Sequence, residues 1–156
     1  MQVLITGANG FIGKAAAMIS AAGASNYFVE AGGDIQAKGQ SRDGSAWHVG
    51  IRSPFASDAI IKVLSLQDAG IATSGAYVRG AHIYNPHDPA GALTDVVSIT
   101  VVAKSVVDAD RFATAAFAMG RDGIYFLEEL DGIEGFAVDS QGMSIETTGF
   151  GAYVVS

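Results

Sequence analysis

The sequence predicts an α+β fold: a mainly antiparallel sheet with helices packed on it. Three observations predict this. Strand-like runs outnumber helical ones. The section from Tyr27 to Thr73 is nearly free of helical patterning. Most strand candidates are joined by short polar or glycine turns rather than by crossover helices. A chain of 156 residues, 49% apolar and 16% charged, suits one globular domain spanning residues 1–156.

Gln2 to Ile5 is a short apolar strand candidate that enters the glycine loop Thr6-Gly7-Ala8-Asn9-Gly10. Lys14 to Ala22 is alanine-rich and helical, and Gly23 suits the position after its end. Tyr27 to Ala31 reads as a buried strand entering Gly32-Gly33-Asp34. Ile35 to Lys38 and Ala46 to Ile51 follow as strands, joined through Ser41-Arg42-Asp43-Gly44. Ile60 to Leu66 and Gly70 to Thr73 are further strands. Arg79 to Pro89 carries two of the three prolines and reads as a surface loop. Val96 to Ala103 is the clearest strand. Helices are expected over Val107 to Met119 and Arg121 to Glu129. A hairpin of Ala137 to Asp139 and Met143 to Thr147 closes the pattern.

Composition narrows the function. The net charge is −7 and the nine Lys and Arg are scattered, which argues against nucleic acid and against an anionic membrane as partner. The absence of Cys excludes thiolate catalysis, Cys-based zinc sites and a lipobox cysteine. His48, His82 and His87 lack the spacing of a helical zinc pair. No apolar run is long enough to span a bilayer, and no signal peptide is visible, so the compartment stays open.

Glycines at 7, 10 and 13 follow an apolar run and precede a helix, and Asp34 falls roughly 20 residues on. This start resembles a short-chain dehydrogenase or nucleotide-sugar epimerase and gives one reading, an NAD(P)-binding reductase. That family needs a Tyr-x-x-x-Lys pair. None of Lys14, Lys38, Lys62 or Lys104 has a Tyr four residues earlier. A glycine turn without a ligand is the alternative for this segment.

Further along, Asp110 and Thr114 stand four residues apart in an expected helix and share one face. Two hard oxygens there suit Mg²⁺, which takes few protein ligands and completes its shell with phosphate and water. A helix-start carboxylate and a satisfied helix hydroxyl are the alternative roles. Gly32-Gly33-Asp34 offers close backbone approach beside a carboxylate, or simply a tight turn. Thr73-Ser74-Gly75 offers two hydroxyls at a strand end for phosphate, or for their own backbone. His82 on the Arg79 to Pro86 loop suits proton transfer or phosphate contact, or plain solvation.

In order, these blocks are Gly32-Gly33-Asp34, Trp47-His48-Val49-Gly50-Ile51 with Pro54, Ala72 to Tyr77, and His82-Ile83-Tyr84-Asn85-Pro86. Thr100-Val101 and Ala109-Asp110 to Thr114-Ala115 complete the set. The ordered set resembles the C-terminal half of the ApbE family of FAD:protein FMN transferases, over about Lys14 to Phe150. Asn85 departs from the family's usual Asp. No clear Asp-x-Gly-Gly-x-x-Lys-Gly block is present, and the N-terminal portion of the family is missing.

The resemblance implies an ApbE-like, T-fold-like sheet, truncated relative to the family. It implies transfer of FMN from FAD to a Thr or Ser of a target protein, with release of AMP and with Mg²⁺ as cofactor. It places Asp110 and Thr114 at the metal and His82 by the phosphates as the catalytic residue. It lines the FAD cleft with Gly32, Gly33, Asp34, Thr73, Ser74 and Gly75. A noncatalytic flavin-nucleotide module is the companion reading. A chain this short is expected to be weak or inactive alone, to leave an apolar sheet face uncovered, and to form a homo-oligomer that buries it.

Overall fold

The computed structural model describes residues 2–5, 12–56, 58–75 and 96–155. Nine strands are described: β1 (Gln2–Ile5), β2 (Asn26–Ala31), β3 (Asp34–Lys38), β4 (Trp47–Arg52), β5 (Ile60–Leu66), β6 (Ala69–Gly75), β7 (Val96–Ala103), β8 (Glu134–Asp139) and β9 (Ser144–Glu146). The helices are α1 (Ile12–Ala21), α2 (Val106–Ala118) and α3 (Asp122–Glu128), with a 3₁₀ turn at Phe150–Tyr153.

Seven strands form one sheet in the order β1-β2-β3-β6-β7-β8-β9, and β4 and β5 form a separate hairpin. β1 and β2 run parallel and are joined through α1. All other pairs are antiparallel. This is the mainly antiparallel α+β arrangement that the sequence predicts. A reductase sheet would need repeated crossovers. Among the described residues one occurs, and the chain then turns back through Gly32 and Gly33 into antiparallel β3. Those glycines adopt φ of 65° and 100°, a region other residues rarely enter.

Each face of the sheet has its own core. On one face Ala72, Ile99, Val101, Ala103 and Ala137 meet Ala109, Ala113, Ala116 and Phe117 of α2 and Ile124 and Leu127 of α3. The alanines keep α2 close to the strands. On the other face Ile35, Ala37, Ala69, Ile71, Val102, Phe136 and Val138 meet Val49, Ile51, Leu64 and Leu66 of the β4–β5 hairpin. Phe150 joins this layer and stacks on Phe136 at 5.6 Å between ring centroids. A third cluster seats Ala16 of α1 near Tyr27 and Val29 of β2.

The expectation of an uncovered apolar sheet face is therefore corrected for the described residues: helices cover one side and the hairpin the other. Alternation along β5 turns Leu64 and Leu66 inward and leaves Ile61 and Val63 on the outer side of the hairpin. Other exposed apolar side chains are scattered, as Met18 on α1 and Tyr125 on α3 are.

Two boundaries move in a way that matters. β6 runs on to Gly75 because its far side pairs with β7 as far as Gly75↔Ser98. β8 begins at Glu134, where Glu-Gly resembles a turn, because Val102↔Glu134 and Val101↔Gly135 pair on the neighbouring strand.

Candidate functional site

The β3–β6 ladder ends at Ile35↔Ile71, whereas the β6–β7 ladder continues to Gly75. Beyond Ile71, the β3 side of β6 carries no strand among the described residues. A cavity of about 950 Å³ opens at this notch. Its walls bring together Gly32, Gly33, Asp34, Thr73, Ser74, Gly75, Asp110 and Thr114. These residues come from three separate parts of the sequence: the β2–β3 turn, the end of β6 and the middle of α2. His82 lies outside the described residues, as do Gly7, Gly10, Tyr77 and Asn85.

Each contributor is held by its own element. Ser105 caps α2 by accepting from the Asp108 N–H at 3.1 Å, and Arg111 donates to Asp108 at 2.9 Å. Asp110 and Thr114 then fall one turn apart on the exposed cavity side, while Ala109 and Ala113 turn into the core. On β6, successive side chains point to opposite faces. Ser74 faces α2, and its Oγ lies 3.4 Å from Thr114 Oγ1. Thr73 faces the hairpin layer, and its Oγ1 shares a hydrogen bond of 2.8 Å with Thr100 Oγ1 across the Thr73↔Thr100 pair. The hydroxyls at 73 and 74 therefore serve opposite sides of one strand.

The opposite wall is less visible in sequence. His48, Val49, Gly50, Ile51 and Arg52 all border the cavity. Five consecutive residues of a strand cannot share one face, so the cavity runs along the edge of β4 that β5 does not occupy. Ile35, Ile71, Val49, Ile51 and Phe28 give the space an apolar lining, and Phe28 in turn packs on Trp47 at 5.4 Å between centroids. Glu30 also borders it. Trp47 to Ile51 forms one of the ordered sequence blocks, but nothing in that block marks which of its residues reach the space. Phe28, Glu30 and Arg52 carry no such signal at all.

The site mixes an apolar, shape-defining surface with a few polar groups, the usual make-up of a small-molecule cleft. Its carboxylates are Glu30, Asp34 and Asp110, and Arg52 of β4 brings a guanidinium. No group of three or more His, Cys, Asp or Glu able to hold a metal occurs among the described residues. An ion enclosed wholly by protein is not what these residues would build. Asp110 with the Thr114 hydroxyl fits a hard ion whose shell is completed by phosphate and water.

The FAD:protein FMN transferase of Vibrio cholerae is 38% identical over 109 residues, covering 64% of this chain and 33% of the relative. The chain thus spans about a third of that curated relative. In solved structures, the flavin transferase ApbE from Vibrio cholerae superposes with a TM-score of 0.79 at 30% identity, over 91% of this chain and 48% of that one. The ApbE protein from Thermotoga maritima gives a TM-score of 0.80 at 27% identity, over 94% and 51%. The match to the ApbE family runs over residues 7–137, beginning ahead of Lys14, where the ordered blocks lose their clarity, and reaching from the glycine loop into β8. With a described cavity that gathers residues from four of the ordered blocks, this chain belongs to the ApbE family.

Proposed function

We propose that this chain provides the FAD-binding wall of a Mg²⁺-dependent FAD:protein FMN transferase. The observation that carries the reading is the convergence of Gly32, Gly33, Asp34, Thr73, Ser74, Gly75, Asp110 and Thr114 on one cavity. The names of its relatives support the same substrate.

In this reading the apolar lining from Phe28 to Ile71 takes a flat ring of FAD. The bare backbone at Gly32 and Gly33 lets the substrate approach closely. Ser74, beside Thr114, donates its hydroxyl to a phosphate oxygen, and Thr73, held by Thr100 on the other side of the strand, lines the cleft. Asp110 and Thr114 would hold the metal, which supplies charge neutralisation at the pyrophosphate when bound. The acceptor Thr or Ser oxygen bonds to the FMN phosphorus while the bond from that phosphorus to the AMP oxygen breaks. AMP leaves with the electron pair, and His82 is the sequence candidate to take the acceptor's proton. Transfer competes with hydrolysis unless water is excluded. The chain spans about half of its solved relatives. We therefore expect it to transfer weakly or not at all alone, and a second copy to cover the open side of the cavity.

Flavin-fluorescence titration with FAD, with and without Mg²⁺, tests the binding reading. The purified chain is expected to bind FAD, and more tightly with Mg²⁺. Asp110→Ala is expected to keep metal-free binding and to lose the metal-dependent gain. Failure to bind FAD, or indifference to Mg²⁺ in the unaltered chain, overturns the reading. Release of AMP from FAD separates a transferase from a noncatalytic module, and light scattering reads the self-association.

A further inference from the structure

We infer that Gln36 is a positioning residue that sets where Asp110 and Thr114 stand relative to the Gly32-Gly33-Asp34 turn. The inference of a functional role rests on the FAD and Mg²⁺ reading above. Gln36 is only 8% exposed, an unusual place for a primary amide on a strand. Its Oε1 accepts from the Val106 N–H at 2.8 Å. Its Nε2 donates to the Lys104 carbonyl at 3.5 Å and to the Ala37 carbonyl at 3.3 Å. Val106 is the first residue of α2, and its N–H has no carbonyl of its own helix to bond. The amide thus fixes the start of the helix that carries Asp110 and Thr114, four and eight residues on. Gln36 itself lies two residues after Asp34 on β3. One side chain ties two cavity walls that are far apart in sequence.

Gly70 makes this contact possible. It pairs with Gln36 across the β3–β6 ladder. A Cβ at Gly70 would sit 2.1 Å from Val106 N and 2.4 Å from Ser105 C. The bare strand admits the helix start, and the neighbouring amide bonds it there. A helix resting on alanines can slide or turn by small amounts, and a turn at Val106 carries along the rigid helix to both ligand candidates.

Gln36→Met keeps the shape and removes the hydrogen bonds, while Gln36→Glu keeps an acceptor for Val106. Two measurements apply to both variants and to the unaltered chain. The first is NMR of the Asp110 amide and the Thr114 methyl, with the Met143 methyl as a remote control. The second is the FAD titration at varied Mg²⁺. Gln36→Met is expected to move the Asp110 and Thr114 signals and to raise half-saturation by Mg²⁺ on the order of tenfold, with metal-free FAD affinity held within about twofold. Gln36→Glu is expected to recover part of both effects, through the Val106 N–H alone, since a carboxylate cannot donate to the Lys104 and Ala37 carbonyls. Unmoved Asp110 and Thr114 signals in Gln36→Met overturn the proposal. So does a parallel fall in metal-free FAD affinity, which marks a general structural loss. If the unaltered chain binds no FAD while Gln36→Met still moves those two signals, the functional reading fails and the positioning by Gln36 stands.

Discussion

On the helix side of the cavity, α2 presents Asp110 and Thr114 as side chains on one face, fixed by the Ser105 cap, the Gln36 amide and the gap at Gly70. On the hairpin side, β4 presents a backbone edge, His48 to Arg52, fixed by the inward side chains Val49 and Ile51 and by their partners Leu64 and Leu66. The helix wall is specified by hydrogen bonds and close approach. The hairpin wall is specified mainly by apolar packing, with the Trp47 indole N–H donating to the Lys38 carbonyl at 3.1 Å. Polar chemistry concentrated on a few positions leaves a pattern in sequence, and an edge held by hydrophobic contacts does not.

The most severe way to separate the walls is to empty the hairpin core. Leu64 is fully buried, so Leu64→Ala is expected to cost about 2–5 kcal/mol in denaturant unfolding. Native-state hydrogen exchange should then quicken in β4 and β5 before α2. Equal loosening of α2 would mean that the two walls are one cooperative unit. On the helix side, Gly70→Ala drives a methyl onto Val106 N and is expected to destabilise by about 1–3 kcal/mol. Its exchange signature should appear in the first turn of α2, and a loss confined to β4 and β5 would reverse the assignment.

Between the walls, Thr100→Val removes the partner of the Thr73 hydroxyl and is expected to cost about 1 kcal/mol. The same variant should weaken FAD binding while leaving its Mg²⁺ dependence, because Ser74 rather than Thr73 faces Thr114. The smallest effect lies in the turn before β4. Hydrogen bonds from the Ser41 and Ser45 side chains and the Ser45 N–H hold the Asp43 carboxyl well below the usual Asp value of 3.8. A depressed carboxylate stabilises the fold above its unfolded value, and the contribution fades as pH falls through the folded one. Carboxyl NMR should therefore find Asp43 still ionised at pH 3.8, and Ser41→Ala should move its titration upward.

Much of this was legible in the residues. The strands at 60–66 and 96–103 stand where alternation and apolar run length place them, and Asp110 with Thr114 share a face because helical periodicity requires it. The failures share a cause. β8 starts at Glu134 and β6 ends at Gly75 because β7 lies alongside, and pairing with a strand distant in sequence leaves no local trace. Gln36 reads as an ordinary polar strand residue until α2 is laid over it. Phe28 and Glu30 border a cavity that opens where the β3–β6 ladder ends at Ile35↔Ile71, an ending set by strands distant in sequence. A parallel strand pair follows the start of the chain, as a dinucleotide fold would need, but the Gly32-Gly33 turn then sends the chain back into antiparallel β3.

The β4–β5 hairpin lies in the chain between two strands that neighbour one another in the sheet, β3 and β6. That insertion has a bearing on how the molecule is made. The hairpin can close early, since its partners are near in sequence. Ile35 can meet Ile71 only after the hairpin has been produced, and α2 emerges later still. Non-local pairings of this kind are slow to form. During synthesis the inward side of the hairpin can meet Ile35 and Ile71 once β6 follows, but the face of β6 destined for α2 stays wet until the ribosome has released residues beyond Thr114. Over that interval the nascent chain shows apolar surface to its surroundings, and chaperone dependence should be greatest for chains arrested between β6 and α2.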